Sequence, residues 1–221
     1  MFEQLILSLN LKLKTMKQLK LTAISFLGLL TIGFTAYAAM MTWGLDKSHS
    51  KVSFNVQHMK ISEVSGTFED YEASITTNGQ ENFESADVNV TIDASSVNTG
   101  NEKRDKHHQR EDFFNVKEYP EITFNADGME KIGMTEDGNA KYKLEGELKM
   151  HGVKQEETFT AIHNGTVKDP FSKKPKAGWQ IRGTVNRYDY GLKWDKTTEA
   201  GNLIVGKKVD VVCDIEITPA S

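Results

Sequence analysis

The chain has 221 residues, with 27 Lys/Arg against 31 Asp/Glu, a formal net charge of −4, and one cysteine, Cys213. The acidic balance argues against a nucleic-acid binder, whose affinity comes largely from clustered cations. A single cysteine excludes an internal disulfide, and its position excludes a lipid-modified leader, which needs cysteine at the cleavage point.

Taken in chain order, residues 16–39 come first. Lys17 and Lys20 precede an apolar run from Leu21 to about Ala36, and Ala36-Tyr37-Ala38 follows as a small-x-small cleavage pattern. Residues 1–38 are therefore expected to be a cleavable signal peptide, with Met16 an alternative start to Met1. The run is short for a bilayer span, so no stable membrane anchor is expected after cleavage. Residues 39–221 then form a single periplasmic or secreted domain. Having lost four lysines and one glutamate, that domain carries 23 basic and 30 acidic residues.

From there the dominant period is two. Val52, Phe54, Val56 and His58 alternate with polar residues, which predicts a half-buried strand. Val64–Phe68 and Tyr71–Ile75 continue the pattern, and Ala86, Val88, Val90 and Ile92 form a further apolar face. Residues 95–114 break the period: dense in charge, they read as a helical excursion over one barrel end, with Phe113-Phe114 as its plug. Alternation resumes at Ile122 and Phe124, then Tyr142 to Met150, then Phe159 and Ala161. It closes with Trp179 to Val185 and Val209 to Ile217. Turns are predicted at Asn78-Gly79, Asp127-Gly128, Asp137-Gly138, His151-Gly152 and Asn164-Gly165. Eight or nine such strands predict an all-β antiparallel barrel, because an open meander would leave two exposed edges.

Chemistry is not announced. His107-His108 with Asp105, Glu111 and Asp112 is the densest set of metal-ligand types, but adjacent histidines on a helix point about 100° apart. A solvated charged segment is the expectation, and no metal site is assigned. Arg104-Asp105 and Arg187-Tyr188-Asp189 read as structural ion pairs or caps. There is no G-x-S-x-G elbow and no phosphate-binding loop, so no catalytic residue is named. Cys213, within an apolar strand pattern, reads as a buried structural thiol. His58 is either a hydrogen-bonded core histidine or a contact for a ligand head group. An eight-stranded barrel is either filled by side chains or holds one small guest. Gly66, Ala73, Ala86, Gly146, Ala161 and Gly183, among larger inward residues, would leave room for a guest.

Trp43-Gly44-Leu45-Asp46-Lys47-Ser48-His49-Ser50-Lys51-Val52-Ser53-Phe54-Asn55-Val56-Gln57-His58 resembles the opening motif of the YceI-like family. Val64–Phe68, Ile92-Asp93, Arg104-Asp105 with Phe113-Phe114, Tyr119–Phe124, Leu148–Val153 and Arg187–Gly191 continue the resemblance in order. Tyr190 departs from the phenylalanine common in the last motif. The resemblance implies an exported, lipocalin-like barrel with one helical excursion, holding a polyisoprenoid or other long-chain amphiphile for storage or transport. It implies no cofactor and no shared catalytic residue. The expected lining is Phe54, Val56, Phe68, Val90, Ile92, Phe124, Leu144, Leu148, Phe159, Ile181 and Val211, with His58 orienting a head group and Phe113 and Phe114 closing one end. Two alternatives stay open: an envelope enzyme acting on a lipid or quinone through His58 or His107-His108, and a ligand-free stress-response interaction protein with a solid barrel. The sequence does not reveal the oligomeric state and leaves a homodimer open.

Overall fold

The computed structural model describes residues 39–79, 82–199 and 201–220, so the expected signal peptide lies outside the described residues. Twelve strands run in order: β1 (Met40–Leu45), β2 (Lys51–His58), β3 (Ser62–Phe68), β4 (Tyr71–Asn78), β5 (Asp87–Asp93), β6 (Val97–Asn98), β7 (Glu121–Asp127), β8 (Glu130–Met134), β9 (Ala140–Met150), β10 (Val153–Lys168), β11 (Pro175–Asn186) and β12 (Val205–Pro219). They make eight staves, because four staves are each bent into two strands or interrupted between them. β1 and β2 lie in line along β12, β3 and β4 along them, β5 and β6 next, and β7 with β8 along β9. Every pairing is antiparallel, and each joins staves adjacent in the sequence except at the closure. There β12 meets β1 at Leu45↔Ile217 and β2 at Phe54↔Val211. The result is a closed up-and-down barrel without free long edges.

The turns follow from backbone chemistry. His151 and Gly152 both have positive φ (52° and 76°) and join Met150 to Val153, the geometry of a two-residue type I′ hairpin. Asn164-Gly165, expected as a turn, lies inside the 16-residue β10. The register against β11 shifts there, so the pair forms a bulge that bends the strand instead of ending it.

The inward glycines also behave differently from the expectation. A methyl group on Gly66 would lie 2.3 Å from the Phe54 ring, and one on Gly183 would lie 2.5 Å from Phe159. On Gly146 it would meet the Asn125 carbonyl oxygen at 2.3 Å and Phe124 at 2.8 Å. These small residues make room for phenylalanine rings rather than for a guest.

One barrel end, where β1 begins and β4 finishes, is packed with aromatic rings. Trp43 is fully buried and donates from Nε1 to Thr77 Oγ1 at 3.0 Å; Phe83 stands edge-on to Trp179 at 4.9 Å. The other end is covered by residues 99–120, 187–199 and 201–204. Helix α1 (Glu102–His108) starts at Asn101, whose side chain accepts from the backbone N–H groups of Lys103 and Arg104. Arg104 and Asp105 do not pair with each other. Arg104 donates to Thr99 Oγ1 (2.7 Å) and Thr99 O (2.9 Å), while Asp105 Oδ1 accepts from Thr99 N and Oγ1, so both tie the helix to the chain leaving β6.

Candidate functional site

Inside the barrel lies a cavity of about 290 Å³. Its wall is almost wholly apolar, because each stave turns one side-chain face inward. Of the fourteen expected lining residues, Phe54, Val56, Phe68, Val90, Ile92, Phe113, Phe114, Phe124, Leu144, Leu148, Phe159, Ile181 and Val211 stand on this wall. His58 does not. It ends β2 beyond Val56, where the register of β12 shifts between Val205 and Val209, and it is only half-buried. The head-group position assigned to it therefore has no support in its placement.

Hydrogen-bonding side chains on the wall are few: Ser53, Tyr71, His108, Trp179 and Arg187. The Tyr71 hydroxyl donates to Ser50 O at 2.6 Å. Arg187 is 4% exposed and, contrary to the ion-pair expectation, its guanidinium bonds to backbone carbonyls and lies over the Tyr188 ring, 4.7 Å from the ring centre. Its Nε donates to Gly206 O at 2.8 Å, one terminal nitrogen to Leu192 O, and the other to Trp194 O (2.8 Å) and Val205 O (3.1 Å). One guanidinium thus staples the 192–206 segment across the barrel end. Next to it, the Tyr190 hydroxyl finds Glu157 Oε1 at 2.7 Å, which satisfies the group that a phenylalanine would lack.

The histidine pair splits. His107 Nε2 lies 2.7 Å from Asp112 Oδ2, and its ring packs on Phe113 and Trp194. His108, expected in solvent, is turned onto the cavity wall against Phe113 (ring centroids 4.9 Å apart) and Phe114 (6.4 Å). Its Nδ1 is buried and has no hydrogen-bond partner. Asp105 is occupied by Thr99, so these side chains do not converge as a metal site.

Burial lowers the His108 pKa to about 4; nearby Arg104 and His107 push the same way, and Asp105 opposes them. An unfolded histidine takes its proton near 6.5, so as the pH falls the unfolded state charges first. The stability that comes from keeping this ring neutral is intact above about 6.5. It is lost as the pH falls toward about 4, by roughly 3 kcal/mol in all. Urea titrations at about pH 7.5 and 4.5 are expected to show that loss in the wild type and a smaller one in His108→Leu; equal losses would contradict the burial.

Outside the bore, Asp46, His49 and Glu216 bring three possible ligand atoms within 4.8 Å of one another. The Lys176 ammonium already lies among them, 2.7 Å from Asp46 Oδ2 and 3.2 Å from Glu216 Oε2. Hydrogen bonds from Lys176, Ser48 and His49 hold the Asp46 carboxyl well below the usual carboxylate range. This network pins the break between β1 and β2 to β11 and β12, a link between residues too distant in sequence to be read there. Cys213, also on the cavity wall, is buried, and burial pushes its thiol up to about 11, as befits a structural cysteine.

The YceI-like domain matches residues 43–217. A UPF0312 protein of Staphylococcus aureus (strain N315) is 32% identical over 179 residues, covering 81% of this chain and 98% of its own. Among solved structures, a Campylobacter jejuni YCEI protein is 32% identical with a TM-score of 0.62, over 80% of this chain and 97% of that one. A polyisoprenoid binding domain from Saccharophagus degradans, implicated in plant cell wall breakdown, superposes with a TM-score of 0.58 at 16% identity, over 81% and 99% of the two chains.

Proposed function

Because the chain belongs to the YceI-like domain family, we propose that it is a non-enzymatic, exported carrier that holds one polyisoprenoid or similar long-chain amphiphile in the barrel for storage or transport. The observation that carries this reading is the apolar cavity of about 290 Å³, near the lower end of the ~300–1,000 Å³ typical of ligand pockets. Cores packed to ordinary density leave few voids larger than a water molecule. The shared fold of the Saccharophagus degradans polyisoprenoid binding domain supports the choice of guest by analogy of architecture. Each methylene that leaves water contributes about 0.8 kcal/mol, so a chain of modest length is held without charge pairing. Export to the periplasm or beyond rests on the lysine-flanked apolar run and the Ala36-Tyr37-Ala38 pattern.

The test is native mass spectrometry of the protein purified from its source cells without added lipid, followed by solvent extraction. One isoprenoid or acyl species per chain is expected. A bare polypeptide mass that persists after isoprenoids and fatty amphiphiles are offered would overturn the carrier reading.

A further inference from the structure

The guest's head group can be characterised from the wall that would receive it, on the premise that the bore is the lipid site. The capped end of the cavity holds two side chains able to bond such a group, His108 and Arg187. Arg187 is already committed: it gives hydrogen bonds to four carbonyl oxygens of residues 192–206. Arg104, at the same end, is likewise spent on Thr99. An anionic phosphate or carboxylate would therefore meet no uncommitted cation among the described wall residues and would lose its hydration without compensation.

His108 is the reverse case. Its ring lies on the wall between Phe113 and Phe114, and its Nδ1 is shielded from water with no partner in the protein. A buried polar atom left unpaired is costly, and a guest that pairs the ring recovers that cost on binding. We infer that His108 is the head-group residue of the bore and that it selects an uncharged oxygen, a hydroxyl or a carbonyl, at the end of the apolar chain. The imidazole can serve either kind, since a neutral ring has one donor and one acceptor nitrogen. The surrounding rings hold the rest of the guest by contact alone.

The experiment titrates the intrinsic tryptophan fluorescence of the lipid-stripped protein with three 20-carbon probes: geranylgeraniol, its parent hydrocarbon and its diphosphate. Wild type is compared with His108→Leu, which removes the hydrogen bond, and His108→Gln, which keeps one. His108→Leu is expected to weaken the alcohol by roughly fivefold and to leave the hydrocarbon no weaker. His108→Gln is expected to retain most of the preference, and the diphosphate to bind wild type more weakly than the alcohol. His108→Leu also removes an unpaired buried nitrogen, so it should remain folded. If all three probes bind and His108→Leu leaves the alcohol affinity unchanged or changes alcohol and hydrocarbon by the same factor, or if the diphosphate binds wild type best, the head-group assignment is overturned while the carrier reading stands. If none binds wild type, both fall together.

Discussion

Replacing Arg187 by methionine is expected to lower stability by about 4 kcal/mol, which for a domain of this size moves the melting temperature down by roughly 10 °C. The side chain is 4% exposed, and its loss strands the carbonyls of Leu192, Trp194, Val205 and Gly206 together. Methionine fills much of the same volume, so the effect measures hydrogen bonding more than packing. Arg187→Lys is expected to recover little: an ammonium keeps the charge but cannot reproduce a planar fork that spans acceptors on both sides. Urea denaturation of the three proteins checks this. A methionine variant with an unchanged midpoint would mean that the 192–206 segment is held by its apolar contacts alone.

The second large effect concerns occupancy. Leu148 lies on the cavity wall in β9, opposite Phe124 of β7 and Gln155 of β10. Leu148→Trp places an indole where the guest would lie. Overfilling costs about 1–3 kcal/mol in a dense core, and an existing cavity should keep the cost at the low end. Displacing about four methylenes of the guest, at about 0.8 kcal/mol each, should loosen binding by roughly 200-fold. Lipid extracted per mole of folded protein, with near-ultraviolet circular dichroism as the check on folding, provides the readout. Undiminished lipid in a folded variant would remove Leu148 from the binding surface.

How much could be read without coordinates depended on whether an element buried one face. β2, β5, β7, β9 and β12 alternate because one side meets the core, and their apolar residues name most of the cavity wall in advance. β8 is exposed along its whole length, so Glu130–Met134 carries no periodic signal; β1, Met-Met-Thr-Trp-Gly-Leu, shows no alternation of its own. The histidines were harder still. In a seven-residue helix rich in charge, the inward side is decided by docking, here through Thr99 on one flank and Phe113 and Phe114 on the other. Nothing in the composition of residues 102–108 separates His108, whose Nδ1 is shielded from water, from its neighbours. Arg187 was legible as important but not as a staple, because its acceptors are main-chain oxygens, which every residue has.

The order of the staves bears on how the protein is made. Seven of the eight stave-to-stave contacts join segments adjacent along the chain, so a growing polypeptide can form them hairpin by hairpin as each emerges. The eighth must wait for Val205–Pro219, the last strand, to reach Met40–Leu45 and Lys51–His58. Until Val205–Pro219 has emerged, the nascent sheet therefore has one unzipped seam and an uncovered apolar interior. Loss of Ile217–Pro219 would unpair β12 from Trp43–Leu45 and leave the seam closed only along Lys51–His58.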